Sequence, residues 1–356
     1  MLKKLALGCY NSPLIKRLFL SRRYSPYKRY VPYKQSRVQG SRVSQYVTTI
    51  SFFWPILLAE KMDWIPKIEY KDSGADTPAV TSFQKLKLLE HIKNLLESGR
   101  LDEAESVLEQ ALVVARRSHN MDWTNILLLI LAKLTYNKKE YKKAERHYLE
   151  LNNNFNMPQE QTTVIKKLKI HTAYDLAKIY EVTSDFEKAE KLYKHCLAQI
   201  QVMNVGSEDY TWATNVLEHV LDSYSLFLTD RSRYDEALTY RNTVYSLVKV
   251  VHGEESEKAC YCLNELGRLH AFMGNDQTAM DYLAKALRIG KKLPINTSGL
   301  IAIYVNNGLL LMKKRIYAKA KEYCSEAKKQ ARNSKDVEGI AQADACLRLI
   351  EQDMNA

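Results

Sequence analysis

The first 59 residues of this 356-residue chain contain no aspartate or glutamate. The same segment holds eleven lysines and arginines, whereas residues 60–356 carry 42 basic and 41 acidic residues. The formal net charge of +12 and the pI of 9.2 therefore arise almost entirely at the N-terminus. A basic nucleic-acid-binding face is the usual inference from such a pI, and this distribution argues against one.

The composition of this basic start is typical of a mitochondrial transit peptide, which is rich in Arg and Ser and poor in acids. Within it, Arg22, Arg23, Tyr24 and Ser25 resemble a matrix processing site. We therefore predict that residues 1–46 are a disordered, cleavable presequence. The alternative is a retained basic tail that binds acidic lipid or nucleic acid.

Residues 47–59, VTTISFFWPILLA, form an uncharged stretch of thirteen residues. As a helix this stretch would span about 20 Å, which is shorter than the ~30 Å hydrocarbon core of a bilayer. It is predicted to be a membrane or sorting segment, acting as a marginal inner-membrane anchor, a second signal or an interfacial segment. The alternative is packing on the folded domain. Residues 60–82, which contain two prolines and a glycine, are predicted to be a linker.

Motifs of common enzyme classes are absent. The chain has no G-x-x-x-x-G-K-[ST], G-x-G-x-x-G or G-x-S-x-G segment. Its eight histidines never fall within four residues of one another, so no H-x-x-x-H or H-E-x-x-H zinc site can form. The carboxylates mostly alternate with lysines, as on solvated helix faces. We therefore expect no catalytic activity, no cofactor and no metal.

Only six cysteines are present, and Cys9 lies in the predicted presequence. Cys260 and Cys262 are the only close pair, and residues two apart on a helix point to different faces. A disulfide or shared metal within this pair is therefore not expected. Cys196 is predicted to occupy a core position, where a free thiol behaves as a small hydrophobic group.

Prolines are scarce after residue 83, where only Pro158 and Pro294 remain. Apolar residues recur there at three- and four-residue spacing, which indicates helices. Six segments share one pattern, as in GRLDEAESVLEQAL, SDFEKAEKLYKHCL and GNDQTAMDYLAKAL. Their common element is an alanine, which recurs every 40 to 48 residues and is called the anchor alanine below. The six anchor alanines are Ala104, Ala144, Ala189, Ala237, Ala279 and Ala320.

Small residues also stand twelve positions before five of the six anchor alanines, and an aromatic residue or Leu usually follows three or four positions after. Two antiparallel helices approach closely only where both carry small side chains. A single pair cannot bury its apolar faces alone, so the pairs are expected to stack into a solenoid. The sequence predicts an all-α fold with six helical pairs over residues 83–335 and a capping helix over residues 336–356.

This pattern resembles the tetratricopeptide repeat family over residues 83–333. The repeats exceed the usual length of about 34 residues, as in kinesin-light-chain-like members, and lack the proline that usually ends the second helix. The resemblance implies a non-catalytic scaffold whose first helices line a groove for extended peptides or helices. The two-carboxylate clamp of the chaperone-binding members is missing.

Counting from the anchor alanines assigns polar positions to this groove. An asparagine could bond a bound backbone, and cations could hold acidic side chains or a chain terminus. The alternative is that these are ordinary exposed residues on half-buried helices. The predicted groove residues are Lys133, Tyr174, Lys178, Asn264 and Arg268.

The order of presequence, short apolar segment, six long repeats and cap resembles a mitochondrial branch of the family that serves respiratory complex III. This resemblance implies association with the inner membrane and with complex III subunits. It also implies a part in clearing N-terminal fragments of the Rieske iron–sulfur subunit. A cytosolic, kinesin-light-chain-like cargo or signalling adaptor that keeps its N-terminal tail is the alternative.

Overall fold

The structure is a computed structural model that describes residues 82–156, 163–202, 210–293 and 297–355. The predicted presequence (1–46) with its processing site, the apolar segment (47–59) and all but the last residue of the predicted linker lie outside these ranges. Every regular element in the described ranges is a helix. None of the described helices combines the length and the apolar character that crossing a membrane requires.

Thirteen helices make up the described chain, and each pair joins a first helix to the second helix that carries its anchor alanine. The helices are α1 (Ser82–Glu97), α2 (Leu101–Arg117), α3 (Met121–Asn137), α4 (Tyr141–Phe155), α5 (Thr163–Val182), α6 (Phe186–Val202), α7 (Tyr210–Asp230), α8 (Tyr234–His252), α9 (Glu257–Met273), α10 (Asp276–Lys292), α11 (Thr297–Lys313), α12 (Tyr317–Asn333) and α13 (Val337–Met354). The prediction of six pairs and a final capping helix is confirmed.

The chain divides into two compact units, one ending at Ala213 and the other beginning at Thr214 within α7. In the N-terminal unit, each helix from α1 to α5 packs on the next one along the chain. The same holds from α8 to α12 in the C-terminal unit, where α11 also packs on α13. Each unit therefore stacks antiparallel helices in chain order, as helical-pair solenoids do.

All six anchor alanines are fully buried, with 0 % of their surface exposed. The small residues twelve positions earlier, on the first helix of each pair, allow the two helices of the pair to approach closely. A Cβ added to Gly267 would lie 2.6 Å from Leu283 Cγ and 3.2 Å from the carbonyl oxygen of the anchor Ala279. A Cβ added to Gly308 would lie 3.2 Å from the carbonyl oxygen of the anchor Ala320. The paired helices therefore touch with backbone against backbone at these crossings.

The residue that faces this crossing is the fourth after the anchor alanine, not the third. Tyr240, Tyr282 and Tyr323, the third residues, are only half-buried in the last three pairs. The fourth residues of the six pairs are all fully buried, because they follow the anchor on the same helix face. They are Leu108, Tyr148, Tyr193, Arg241, Leu283 and Cys324.

Each turn between paired helices contains one residue in the left-handed region, five positions before the anchor alanine. Its φ lies between 60° and 83° in all six pairs. The N–H of the following residue donates to the carbonyl five residues earlier, at 2.8–3.0 Å. This is the bond of a Schellman motif, which satisfies the free carbonyls of the first helix. The residues are Gly99, Lys139, Ser184, Ser232, Gly274 and Arg315.

Replacing Lys139 or Arg315 by glycine should stabilise the fold by about 0.5–1 kcal/mol. A side chain in the left-handed region costs roughly 1–2 kcal/mol, and part of the gain is offset by the extra freedom of glycine in the unfolded chain. Urea denaturation of the two variants measures the effect. Gly99→Ala is the matched control and should destabilise, because its φ is 74°. A loss of stability in both glycine variants would contradict this account of the turn.

Asp336 caps the N-terminus of the capping helix α13, and its Oδ1 accepts a hydrogen bond from the Gly339 N–H at 2.9 Å. Its buried face includes Ala343 and Ile350, which join the core of the last pairs. A disulfide between Cys324 and Cys346 ties α13 to α12, with the Cα atoms 6.1 Å apart and both side chains buried. Sequence spacing did not predict this bond, because its two cysteines are 22 residues apart and lie on different helices.

Candidate binding surfaces on the first helices

The five predicted groove residues all lie on first helices of pairs. Lys133 lies on α3, Tyr174 and Lys178 on α5, and Asn264 and Arg268 on α9. Three of them therefore belong to the N-terminal unit and two to the C-terminal unit. The structure forms two local clusters of them, one in each unit.

In the N-terminal unit, Lys133 links two first helices. Its Nζ lies 2.5 Å from Asp175 Oδ2 on α5, and both side chains are nearly buried, with 11 % and 12 % exposed. The same Nζ lies 6.0 Å from the ring centroid of Tyr148. A charge pair with this little exposure is screened less by salt than a surface pair. Lys133 therefore orients α3 against α5 as well as presenting a cation.

Lys178 forms the second part of this cluster. Its Nζ lies 3.1 Å from Glu181 Oε2, one turn further along α5. The Tyr193 hydroxyl on α6 donates to the same oxygen at 2.8 Å. The ring of Tyr174 meets Tyr193 edge-on, with centroids 6.3 Å apart. The buried Glu181 carboxylate thus contacts the Lys178 cation and the Tyr193 phenol. The ring of Tyr193 in turn packs against Tyr174.

In the C-terminal unit, two asparagines join neighbouring first helices. Asn306 Nδ2 on α11 donates to Asn264 Oδ1 on α9 at 2.9 Å. The Arg268 Nε donates to Glu265 Oε2 at 3.0 Å, and Asn264 Nδ2 donates to Glu265 Oε1 at 3.4 Å. Asn264 and Arg268 are only 5 % and 4 % exposed. The Asn264 amide, which was expected to bond the backbone of a bound segment, therefore bonds the Asn306 amide instead.

The C-terminal unit also contains a buried ion pair. Arg241 on α8 binds Asp222 on α7, and Arg241 Nη2 also lies 3.4 Å from the Asp222 carbonyl oxygen. Burial lowers the pKa of Arg241, but the Asp222 carboxylate, together with Tyr261 and Glu265, outweighs burial and holds that pKa above its ordinary value. Arg241 is therefore a charged residue at a core position, where the other pairs carry Leu, Tyr or Cys.

In the structure the predicted groove cations are already engaged within the chain. Lys133, Lys178 and Arg268 each already hold a carboxylate of this chain. The reason is that charges this poorly exposed must be paired to offset their desolvation. A bound segment would have to displace or share these carboxylates, which favours partners that supply both donors and acceptors.

The free cysteines are buried. Cys260 donates to the Ala286 carbonyl oxygen at 3.0 Å, and Cys196 to that of Ile170 at 3.5 Å. Burial raises the pKa of Cys196, Cys260 and Cys262 to about 12. The thiolate is the reactive form, so this burial opposes nucleophilic or redox chemistry at these thiols. Among the described residues, no cluster of three or more His, Cys, Asp or Glu could hold a metal ion.

Glu105 on α2 ties the first two pairs together. Its carboxylate accepts hydrogen bonds from Lys138, at the end of α3, and from Lys143 on α4 at 3.0 Å. Burial raises the pKa of Glu105, but the two lysines outweigh burial and hold the pKa below its ordinary value of 4.5. Because the folded-state pKa is lowered, this stabilisation is complete above 4.5 and is lost as the pH falls through the folded-state value.

Glu105→Gln should lower the free energy of unfolding at pH 7 by about 1–3 kcal/mol, the usual cost of losing hydrogen bonds to a charged group. It should also weaken the acid destabilisation of the protein, because one carboxylate with a lowered pKa is gone. Denaturant titrations from neutral pH to below 4.5 measure both effects. The control is Glu103→Gln, since Glu103 forms an exposed pair with Arg100. Parallel pH profiles of Glu105→Gln and the native chain would contradict the assignment.

Residues 216–292, which run from α7 to α10, match the family model described as tetratricopeptide repeat. Residues 216–292 are therefore a tetratricopeptide repeat segment. The chain is similar to tetratricopeptide repeat protein 19 homolog, mitochondrial, of Drosophila melanogaster, with 21% identity over 283 residues that cover 79% of this chain and 76% of the relative. It is also similar to tetratricopeptide repeat protein 19, mitochondrial, of Homo sapiens, with 22% identity over 280 residues that cover 74% and 70%.

Two solved structures share the fold. BtubC (BKLC) from P. vanneervenii superposes with a TM-score of 0.55 at 18% identity, covering 66% of this chain and 92% of that one. The apo form of RapI superposes with a TM-score of 0.56 at 14% identity, covering 88% and 81%. At these identities the likeness shows that the chain has the repeat fold.

Proposed function

We propose that the chain is a non-catalytic mitochondrial scaffold that associates with the inner membrane and binds respiratory complex III. The observation that carries the proposal is its similarity, over about three quarters of its length, to mitochondrial tetratricopeptide repeat protein 19 in both fly and human. The acid-free first 59 residues support import into mitochondria. Stacked helical pairs are a binding architecture, which supports a scaffold role.

The proposed task of the scaffold is to keep complex III intact by helping to clear N-terminal fragments of the Rieske iron–sulfur subunit. The clusters around Lys133 and Lys178 in one unit, and around Asn264 and Arg268 in the other, are the proposed contact points. Each cluster offers paired donors and acceptors on neighbouring side chains. Such a surface suits an extended polypeptide, whose backbone also presents both donors and acceptors.

The basic, acid-free residues 1–59 argue against the cytosolic adaptor, which would have no use for a removable presequence. The cytosolic alternative predicts a full-length protein that still begins at Met1.

The proposed task is tested by deleting the gene for this protein and following the Rieske subunit in isolated mitochondria. N-terminal Rieske fragments should accumulate and complex III activity should fall. Expression of the full chain should reverse both changes, and a chain lacking residues 1–46 should not, because it is not imported. Unchanged Rieske fragments and unchanged complex III activity in the deletion strain would overturn the proposal.

The contact points are tested in the same strain with Lys178→Ala, whose side chain is 20% exposed. Losing one charge-assisted contact costs about 1.5–3 kcal/mol, so recovery of complex III with the variant should fall about tenfold or more. Lys194→Ala is the control, because Lys194 lies on α6 with its side chain 58% exposed. Equal recovery of complex III with both variants would show that Lys178 is not part of the binding surface.

A further inference from the structure

The near-neutral charge of residues 60–356 conceals a strong asymmetry. Residues 285–348 contain fourteen lysines and arginines but only five aspartates and glutamates. The rest of residues 60–356 carries more acidic than basic residues, so the two parts nearly cancel in the total. The near-neutral total therefore hides a basic part of the folded chain, at the end of the C-terminal unit.

Many of these cations lie along one edge of the C-terminal unit. Because successive helices there are antiparallel, the last turns of α8, α10 and α12 lie at the same edge as the first turn of α13. Glu255, in the turn after α8, lies 3.1 Å from Arg288 Nη1 and 3.5 Å from Lys292 Nζ on α10, which shows that these ends are neighbours. The basic edge consists of Lys249, Val250, Arg288, Lys291, Lys292, Lys329, Arg332, Lys335 and Val337.

The cations of the basic edge are open to solvent. The side chains of Lys329, Lys292 and Arg288 are 68%, 57% and 54% exposed. Lys291, Arg332 and Lys335 are also exposed, and none of these three forms an ion pair with a described residue. The other four cations pair with carboxylates at the same edge, Lys249 with Glu254, Arg288 and Lys292 with Glu255, and Lys329 with Glu326, but these pairs are far more exposed than those of the predicted groove cations. The edge therefore keeps positive charge available to an outside partner.

The basic edge also carries the two most exposed large apolar side chains in the described part of the protein. Val250, in the last turn of α8, is 82% exposed, and Val337, the first residue of α13, is 79% exposed. Val250 follows Lys249 directly, and Val337 stands two residues after Lys335. Exposed apolar side chains flanked by cations suit an interface that offers both anionic groups and hydrocarbon.

We propose that the basic edge is a docking surface for a bilayer that contains anionic phospholipids. Phosphate headgroups neutralise the cations, and the two valines enter the boundary between headgroups and acyl chains. Nucleic acid would neutralise the cations equally well but gives no use for exposed valines. The proposal refines the membrane association proposed above, and it gives the folded C-terminal unit a contact of its own besides residues 47–59.

The test measures binding of the full chain to vesicles of phosphatidylcholine, with and without anionic phosphatidylglycerol. The variant combines Lys292→Glu, Lys329→Glu, Arg332→Glu and Lys335→Glu. The control combines Lys142→Glu, Arg146→Glu, Lys191→Glu and Lys194→Glu, which are exposed residues of the N-terminal unit. Both variants change the net charge equally and keep the basic residues 1–59. Circular dichroism and thermal unfolding show whether each variant is folded.

Each cation near an anionic surface contributes about fivefold in affinity, so the edge variant should bind anionic vesicles roughly 100-fold or more weakly than the native chain. The control variant should bind much more tightly than the edge variant. Binding of the native chain should weaken as salt rises, because salt screens exposed charges over about 10 Å at 0.1 M. Val250→Ser with Val337→Ser, which keeps every charge, should also weaken binding.

Equal vesicle binding by the edge and control variants would overturn the proposal. The proposal would also be overturned if the edge variant lost binding to single-stranded RNA but kept binding to vesicles. That result would show that the basic edge binds nucleic acid. A different result would overturn the proposed function. If the native chain binds vesicles but recovers no complex III, the scaffold role is wrong. If the edge variant loses vesicle binding but still recovers complex III, the scaffold role stands.

Discussion

Arg241→Ala should lower the free energy of unfolding by about 3–5 kcal/mol, the usual cost of removing one partner of a buried ion pair. Arg241 is 1% exposed and binds Asp222, which is 6% exposed. Truncation leaves the Asp222 carboxylate buried without its cation and also empties the volume of a long side chain. Equilibrium denaturation in urea, followed by circular dichroism, gives the value.

Two further variants separate charge from packing at this site. Arg241→Met combined with Asp222→Leu should recover most of the lost stability, because replacing a whole buried pair by apolar groups is often neutral or stabilising. Arg288→Ala is the exposed control and should cost no more than about 1 kcal/mol, since its pair with Glu255 is more than half exposed. A cost below about 1 kcal/mol for Arg241→Ala would show that the pair is not buried as described.

Removing the disulfide should be the second large effect. Cys346→Ala, or reduction of the native chain, should cost about 2–4 kcal/mol, because the bond closes a loop of 22 residues between α12 and α13. The loss should be concentrated in the capping helix, whose amide hydrogens should exchange faster in the reduced protein. Hydrogen exchange measured by mass spectrometry, with and without reductant, locates the change.

Cys262→Ala is the matched control for the disulfide, because Cys262 is a buried free thiol of the same unit. This variant should still respond to reductant, whereas Cys346→Ala should not. Alkylation under denaturing, non-reducing conditions should label Cys196, Cys260 and Cys262 only, among the described cysteines. Labelling of Cys324 and Cys346 in the untreated protein would contradict the bond.

The repeat register could be predicted from sequence because it rests on steric rules. An alanine such as Ala144 or Ala279 at a helix crossing, with a small residue twelve positions earlier, is needed wherever two backbones touch. The same register found the number of pairs and the cap. It missed the left-handed turn residue, because Lys139 and Arg315 are not the glycines that usually signal this conformation.

The polar chemistry of the first helices could be predicted only in part. Register placed Lys133 and Arg268 on the correct helices, but their partners Asp175 and Glu265 depend on packing between helices and on side-chain rotamers. Arg241 was missed because a charged residue in a repeat is ordinarily assigned to the surface. The anchor register could have found it, since the fourth position after every anchor is fully buried.

The surface charge was missed for a different reason. Summed over residues 60–356, basic and acidic residues nearly cancel, and the sum hides their separation along the chain. Counting charge pair by pair would have shown that the last two second helices end in Lys291 and Lys292, and in Arg332. Charge asymmetry between parts of a chain is itself a sequence signal for membrane or nucleic-acid contact.

The most direct test of the scaffold role is purification of the endogenous protein from isolated mitochondria, with chemical cross-linking before solubilisation. The account predicts that complex III subunits, including the Rieske protein, are recovered in near-stoichiometric amount. It also predicts cross-links to the described repeats and an N-terminus that begins after Arg23 rather than at Met1. Recovery of no complex III subunit, or a chain beginning at Met1 and found outside mitochondria, would contradict the account.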